Sequence, residues 1–190
     1  MAAPPSDPGG QDAIAAALSP MAEQSVVCPG CGAVVPDVPE LRSDHLYVGA
    51  AAGCWAAYTE LIGREMAEPA LLGIHMLAAD VYPAQHPGVA GRQSSQSVWV
   101  HLVGLCLVLE HDFDVAMSAR AKARFAAPDA RFEWLEPPSS LGPTTVLDIL
   151  ATDGAEEHAR AVRYWATQVW EAWGPHHESI RHRATELLRS

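Results

Sequence analysis

One segment of the chain combines an apolar character with several polar side chains, and this combination limits what it can fold into. Residues 80–110 read DVYPAQHPGVAGRQSSQSVWVHLVGLCLVLE, and a Pro/Gly-rich turn divides them. The polar groups on the two sides of the turn include Asp80, Tyr82, His86, Gln96 and His101. Burying one unpaired polar group costs on the order of 2–7 kcal/mol. These side chains therefore form either a hydrogen-bonded network in the core or a functional site.

Apolar residues recur at helical spacing along most of the chain and predict an all-α, single-domain helical bundle. No stretch shows the alternation of a β-strand. The expected helices cover residues 44–66, 69–86, 94–110, 113–126, 144–150 and 154–173, and a last helix opens at residues 176–178. Pro83 is expected to kink or shorten the second helix. Ser94 or Ser95 is the expected N-cap of the third helix, and Thr144 that of the fifth.

The composition indicates a globular protein and excludes some partners. The 190 residues are 49% hydrophobic and 18% charged, and a formal charge of −11 argues against a nucleic-acid or anionic membrane surface. No apolar run reaches the roughly 18–20 residues that span a bilayer. The N-terminus lacks the features of a secretory signal, so a cytoplasmic location is expected. Residues 1–24, rich in Pro, Ala, Gly and Ser, are predicted to be a disordered tail, and residues 25–190 a metal-binding helical domain.

The sequence Cys28-Pro-Gly-Cys31-Gly forms a short N-terminal knuckle, in which a glycine-permitted turn holds two sulfurs on one side. This geometry is typical of tetrahedral Zn²⁺ sites with Zn–S distances of about 2.3 Å. A zinc ribbon would repeat the pair about 15–20 residues later, and this chain does not. The knuckle therefore predicts half of a metal site. Zinc is the expected metal, with copper and iron as alternatives, and an exposed or redox-active thiol pair is the competing interpretation.

The nine histidines supply candidates for the missing ligands. A short turn makes the helices on its two sides antiparallel neighbours, and a rise of about 1.5 Å per residue places His101 opposite residues 78–80. His86 lies at a helix end, and His177 lies at the start of the last helix, where the helix dipole favours a neutral imidazole. The predicted metal ligands are Cys28, Cys31, His86, His101 and His177.

Other cysteines and histidines are assigned different roles. Cys54 is interpreted as a buried structural thiol rather than a ligand. Surface positions are expected for His111, His158 and His182. His45 is a candidate helix cap or fourth ligand. Participation in the site stays open for His75, His176, Cys106 and, as the less favoured alternative, Cys54.

Two functions of different classes are compatible with these features. The first is a metal-dependent enzyme that acts on a small molecule, with Asp80, Tyr82 and Gln96 as catalytic residues beside an open metal position. The second is a non-catalytic binding or scaffold module, in which a closed Cys₂His₂ shell holds a structural zinc ion. A thiol redox protein is a third interpretation, against which the absence of a βαβ context counts. The metal-dependent enzyme is the interpretation that we adopt from the sequence.

The chain resembles a family of uncharacterised bacterial proteins. The resemblance rests on motifs that span most of the chain after residue 24, namely CPGCGA (28–33), GAAAGCW (49–55), DVYPAQHPG (80–88), QSVWVHLVGLC (96–106), WLEPP (134–138) and HHESIR (176–181). It implies that these motifs belong together and implies no particular reaction. Pro83 departs from the small, helix-compatible residue expected at that place. In architecture alone, the chain is also similar to metal-binding bundles in which three helix-borne histidines hold a divalent ion.

Overall fold

The computed structural model describes residues 24–38, 47–111, 113–125 and 131–189. Most of these residues lie in seven α-helices, which confirms the prediction of a mostly helical fold. The helices are α1 (Ala52–Ala67), α2 (Leu72–Gln85), α3 (Arg92–Glu110), α4 (Val115–Phe125), α5 (Val146–Leu150), α6 (Ala155–Ala172) and α7 (His177–Arg189). Among the described helices, none is long and apolar enough to cross a membrane. His45, residues 1–23 of the predicted tail and the predicted start of the first helix lie outside the described residues.

Two short strands, which the sequence pattern does not predict, flank the cysteine pair. β1 (Ser25–Val27) and β2 (Val34–Pro36) form an antiparallel hairpin. Each strand has three residues, which are too few for an alternating pattern to be recognised. The Cys28 N–H donates to the Ala33 carbonyl at 2.8 Å, and Gly32 adopts a positive φ of 75° that favours glycine. The hairpin therefore presents the turn that carries both cysteines.

The helix ends follow the predicted order with local corrections. α3 begins at Arg92, so Ser94 and Ser95 lie buried in its first turn instead of capping it. Thr145, one residue later than predicted, caps α5 through a capping box with Asp148. Thr144 and Thr145 offer the same hydroxyl group, so the sequence alone does not decide which of the two threonines caps α5.

The helical hairpin of α2 and α3 lies at the centre of the core. α1 and α6 pack against α2, and α7 packs against α3. Two buried tryptophans of the C-terminal half hold the end of α2. Trp165 donates to the Gln85 side chain at 3.0 Å, and Trp173 donates to the Ala84 carbonyl at 3.0 Å. These bonds orient the end of α2, from which His86 projects.

A buried carboxylate joins α1 to α2 and α6. Glu65 is fully buried, and its oxygens lie 3.2 Å from His75 Nδ1 and 2.8 Å from His158 Nε2. Thr152 Oγ1 lies 3.1 Å from His158 Nδ1 and completes the network. Burial raises the pKa of Glu65 to about 8 and lowers the pKa of both histidines. The prediction of a surface position for His158 is wrong, because this side chain is buried against Glu65, which precedes it by 93 residues.

Replacing Glu65 by glutamine (E65Q) is expected to remove a pH-dependent part of the stability. The pKa of Glu65 in the folded state lies above the value of about 4.3 for an unfolded glutamate, so the folded state binds this proton more tightly. The resulting stabilisation is complete at acidic pH and is lost as the pH rises through about 8. From about pH 6.5 to about pH 8.5, the free energy of unfolding of the wild type should fall by roughly 1–2 kcal/mol relative to E65Q.

Urea unfolding of both proteins at several pH values measures this difference. Burial lowers the pKa of His75 and His158, and both proteins contain these histidines, so the difference between the two stability curves isolates Glu65. Parallel stability curves for the wild type and E65Q would contradict the assignment of the slope to Glu65.

Candidate metal centre

Four side chains from three elements converge at one end of the helical hairpin. Cys28 and Cys31 come from the turn between β1 and β2, Cys54 from the first turn of α1, and His86 from the end of α2. One ligand atom of each residue lies within 4.8 Å of the others. Cys28, Cys54 and His86 are buried, and Cys31 is half-buried. These four residues can hold a metal ion.

Two separations between the ligand atoms match those of a tetrahedral site. Cys31 Sγ lies 3.8 Å from Cys54 Sγ, and Cys54 Sγ lies 3.5 Å from His86 Nε2. Tetrahedral Zn²⁺ binds sulfur at about 2.3 Å and nitrogen at about 2.0–2.1 Å. Its sulfur ligands are then roughly 3.8 Å apart, and a sulfur and a nitrogen ligand are roughly 3.5 Å apart. These two separations are therefore compatible with a tetrahedral metal ion bound by both sulfurs and the imidazole.

Two glycines make this approach possible. A Cβ on Gly30 would overlap the imidazole ring of His86, so the knuckle can pass over the ring only with glycine at this position. A Cβ on Gly53 would overlap the carbonyl oxygen of Pro36, which lies at the end of β2. Gly53 thus lets the start of α1 pack on the hairpin and brings Cys54 to the knuckle.

The end of α2 fixes the orientation of His86. Pro83 lies inside the last turn of α2, which ends at Gln85, and Pro87 disfavours helical backbone at the preceding His86. His86 Nδ1 lies 2.7 Å from the Tyr82 carbonyl oxygen. A carbonyl only accepts hydrogen bonds, so the proton resides on Nδ1 and Nε2 is the nitrogen that faces the thiols. The ring also stacks on Tyr82, with centroids 4.1 Å apart.

Hydrogen-bond donors surround the sulfurs and offset their charge. Three thiolates and a neutral imidazole around Zn²⁺ carry one net negative charge, which is costly to bury without donors. The Ala51 N–H donates to Cys28 Sγ at 3.4 Å, and the Tyr82 hydroxyl donates to Cys54 Sγ at 3.5 Å. Burial raises the pKa of Tyr82, so its hydroxyl keeps the proton that it donates. Tyr82, predicted as a catalytic residue, contacts the metal cluster in this way.

The cluster shares protons among its members when no metal is bound. Hydrogen bonds with Cys31 and Cys54 lower the pKa of Cys28, and hydrogen bonds with Cys28 and Cys31 raise the pKa of Cys54. Burial lowers the pKa of His86, but hydrogen bonds and Coulomb attraction to Cys28 and Cys31 outweigh it and raise the pKa to about 9. Metal binding therefore displaces protons from the cluster, as thiolate and imidazole ligands require.

The five polar residues expected between α2 and α3 divide into two groups. Tyr82 and His86, four residues apart, face the thiols. Asp80 precedes Tyr82 by two residues, which is about 200° around a helix, and it faces α3. Its Oδ1 accepts a hydrogen bond from His101 Nδ1 at 2.8 Å, and Gln96 lines a cavity beside His101. The structure brings Asp80, Gln96 and His101 together, but not with the thiols.

Two histidines predicted as metal ligands therefore lie outside the cluster. His101 bonds to Asp80 on the other side of α2. His177 stacks on Trp170 with ring centroids 3.9 Å apart, and its Nε2 lies 2.8 Å from the Trp170 carbonyl oxygen. Its neighbour His176 has Nε2 2.9 Å from the Glu136 carbonyl oxygen. The C-terminal pair thus contacts two backbone carbonyls and Trp170 at the start of α7.

Cys54 is the cluster member whose role the sequence did not reveal. Its thiol is buried, as predicted, but it faces Cys31 and His86 rather than apolar side chains alone. The GAAAGC sequence (49–54) gives an indication of this role, because Gly53, directly before the cysteine, allows another backbone segment to come close. Cys106 is the contrasting case, because burial raises the pKa of its thiol to about 12 and it lies outside the cluster.

The chain belongs to the Family of unknown function (DUF5946), whose model matches residues 26–174. This range contains all four residues of the cluster and most of the helical fold. The predicted membership of an uncharacterised family is thereby confirmed. Searches of the curated proteins and of the solved structures found no match to the chain. Its function must therefore be argued from the residues themselves.

Proposed function

We propose that the cluster binds one Zn²⁺ ion as a structural site and that the protein is a helical module stabilised by this metal. One observation carries the proposal: three thiol sulfurs and one imidazole nitrogen lie within 4.8 Å of one another. Four protein ligands complete the tetrahedral shell of zinc, whereas catalytic zinc sites keep one position for water or substrate. The metal therefore supports the fold, and any chemistry of the protein belongs to other side chains.

Zinc suits this set of donors better than most other metals. A tetrahedral arrangement of soft thiolates with imidazole selects zinc or iron over the hard cations that prefer oxygen ligands. The fixed Nδ1 proton of His86 presents a neutral Nε2, which is the form that zinc binds. The Ala51 and Tyr82 donors stabilise coordinated thiolates, since each lies within hydrogen-bond distance of a sulfur.

A bound metal would stabilise the N-terminal hairpin of β1 and β2. Val27 and Val34 are 61% and 63% exposed, so the strands contribute little to the core beyond Val35 and Cys28. A two-stranded hairpin is marginally stable by itself in water. Coordination by both cysteines of the turn would tie the hairpin to α1 and α2. We infer that the free energy of metal binding supplies the stability that the hairpin lacks.

The metal-dependent enzyme predicted from the sequence has less support than this structural role. It needs an open coordination position, which one of the four residues would have to vacate. The thiol redox interpretation predicts disulfide exchange and no bound metal. Metal analysis distinguishes it from both metal proposals.

The purified protein is expected to contain one zinc ion per chain, and Cys54→Ser should reduce its zinc affinity by at least about tenfold. Cys106→Ser is the matched control, because it changes a buried cysteine outside the cluster. Zinc content is measured by plasma mass spectrometry and affinity by competition with a chromogenic chelator. Zinc-loaded wild type that retains less than a stoichiometric amount after dialysis would contradict the proposal, as would equal affinities for the two variants.

A further inference from the structure

A buried ion pair on the other side of α2 holds a histidine at the protein surface. Asp80 is 1% exposed, and its Oδ1 accepts hydrogen bonds from His101 Nδ1 and from Lys122 Nζ. The three residues come from α2, α3 and α4. A Cβ on Gly104 would overlap the Asp80 carboxylate, so this glycine provides the space that the carboxylate occupies. Four residues therefore form this arrangement: Asp80, His101, Lys122 and Gly104.

The exposed edge of His101 belongs to a cavity at the N-terminal half of α3. The cavity has a volume of about 300 Å³ and is lined by Tyr47, Gln93, Gln96, Ser97, Val100 and His101. The His101 side chain is 24% exposed, while those of Asp80 and Lys122 are buried. Because Asp80 occupies Nδ1, Nε2 is the ring nitrogen that remains for a molecule in the cavity.

The lining of the cavity restricts the class of molecule that it suits. Apart from His101, the described residues around it carry hydroxyl, amide or apolar side chains and no formal charge. A phosphate ester would need cationic side chains, and an ammonium compound would need carboxylates or an aromatic cage. Hydroxyl and amide groups suit a small neutral compound that contains a carbonyl group.

We propose that this cavity is an active site for the hydrolysis of small neutral acyl esters, with His101 as the general base and Asp80 as its positioning residue. A histidine whose Nδ1–H donates to a buried carboxylate has its tautomer fixed and its imidazolium stabilised. Lys122 Nζ also donates to Asp80 Oδ1, which gives the buried carboxylate a partner of opposite charge. The site contains none of the four metal-cluster residues, so it is separate from the structural zinc.

The reaction balances with water as the only second reactant. His101 Nε2 accepts a proton from water while the water oxygen forms a bond to the carbonyl carbon of the ester. The resulting tetrahedral intermediate breaks the bond to the alcohol oxygen, and the imidazolium returns its proton to that oxygen. The products are a carboxylic acid and an alcohol, and His101 recovers its neutral form.

Steady-state hydrolysis of p-nitrophenyl acetate and p-nitrophenyl butyrate by the zinc-loaded protein tests the proposal. His101→Gln should lower kcat by about 10²-fold or more. His182→Gln is the matched control and should retain wild-type turnover, because His182 also faces a carboxylate, with Nε2 3.3 Å from Glu186, but is 73% exposed and does not line the cavity of His101. Wild-type turnover no higher than that of His101→Gln would overturn the proposal.

Two further measurements separate positioning from folding. Asp80→Asn should lower kcat with little change in KM, whereas Gln96→Ala, on the cavity wall, should mainly raise KM. Diethyl pyrocarbonate acylates neutral imidazoles, and Val100→Trp should shield His101 from this reagent while His182 reacts as before, as mapped by peptide mass spectrometry. Unchanged acylation of His101 in folded Val100→Trp, or equal kcat for wild type and folded Asp80→Asn, would also overturn it.

Discussion

Removing the metal from the purified protein is expected to lower its melting temperature by roughly 10 °C. A ligand present at about 1,000 times its Kd stabilises the folded state by about 4 kcal/mol. For a chain of this size, each kcal/mol shifts the melting temperature by roughly 2–4 °C. The metal-free cluster also leaves Cys28, Cys54 and His86 buried without a cation, although shared protons offset part of that cost.

Thermal unfolding monitored by circular dichroism, before and after treatment with a zinc chelator, measures the effect. Adding back zinc should restore the original transition, which distinguishes metal loss from damage to the thiols. Hydrogen exchange should show the first loss of protection in residues 25–36, because β1 and β2 depend on the cluster more than the core of α2 and α3 does. An unchanged melting temperature after verified loss of metal would contradict the structural role.

Lys122→Ala is expected to destabilise the fold by about 3–5 kcal/mol, which is the usual cost of removing one partner of a buried ion pair. The Lys122 and Asp80 side chains are 8% and 2% exposed, so the carboxylate would remain buried without its cation. Arg160→Ala is the matched control. Arg160 and Glu156 form an exposed pair one helical turn apart, with side chains 66% and 91% exposed, and such pairs contribute about 0.3–0.5 kcal/mol.

Denaturant unfolding of the two variants and of a double variant gives the comparison. Replacing Asp80 and Lys122 together by leucine removes both charges, and this double variant should be more stable than Lys122→Ala. The difference follows because no buried charge is left without a partner. Equal destabilisation by Lys122→Ala and Arg160→Ala would show that the Asp80 carboxylate finds other compensation.

Local spacing predicted those parts of the site that depend on one helix or one turn. The knuckle placed Cys28 and Cys31 together, and Pro83 with the following turn placed His86 at a helix end. The rise along two antiparallel helices placed His101 level with Asp80, where the structure has their hydrogen bond. Each of these inferences uses geometry that the backbone imposes within about twenty residues.

The angle between two residues around a helix can be calculated from the sequence. The expectation that all five polar residues form one group did not use this angle. Asp80 and Tyr82 are about 200° apart around α2, so they cannot face one site. With this angle, Tyr82 and His86 lie on the side of α2 that faces the thiols, and Asp80 lies on the side that faces His101.

Contacts between distant segments could not be predicted from one sequence. Cys54 reaches the knuckle because α1 packs on β2 through Gly53; the GAAAGC run indicates that some backbone comes close there, but not that it is β2. His158 was expected at the surface, but its Nε2 lies 2.8 Å from a Glu65 oxygen on α1. Each outcome depends on tertiary packing between elements that are far apart in the chain.

The metal cluster and the cavity lie on opposite faces of the same helix, α2, and this arrangement affects how binding at one site relates to binding at the other. His86 follows the last turn of α2, and Asp80 lies six residues earlier, about 9 Å along the helix axis. Both residues are buried in close packing. If zinc tightens the binding of a compound in the cavity by some factor, that compound must tighten the binding of zinc by the same factor. Supply of the metal and supply of the compound would then govern a single shared equilibrium.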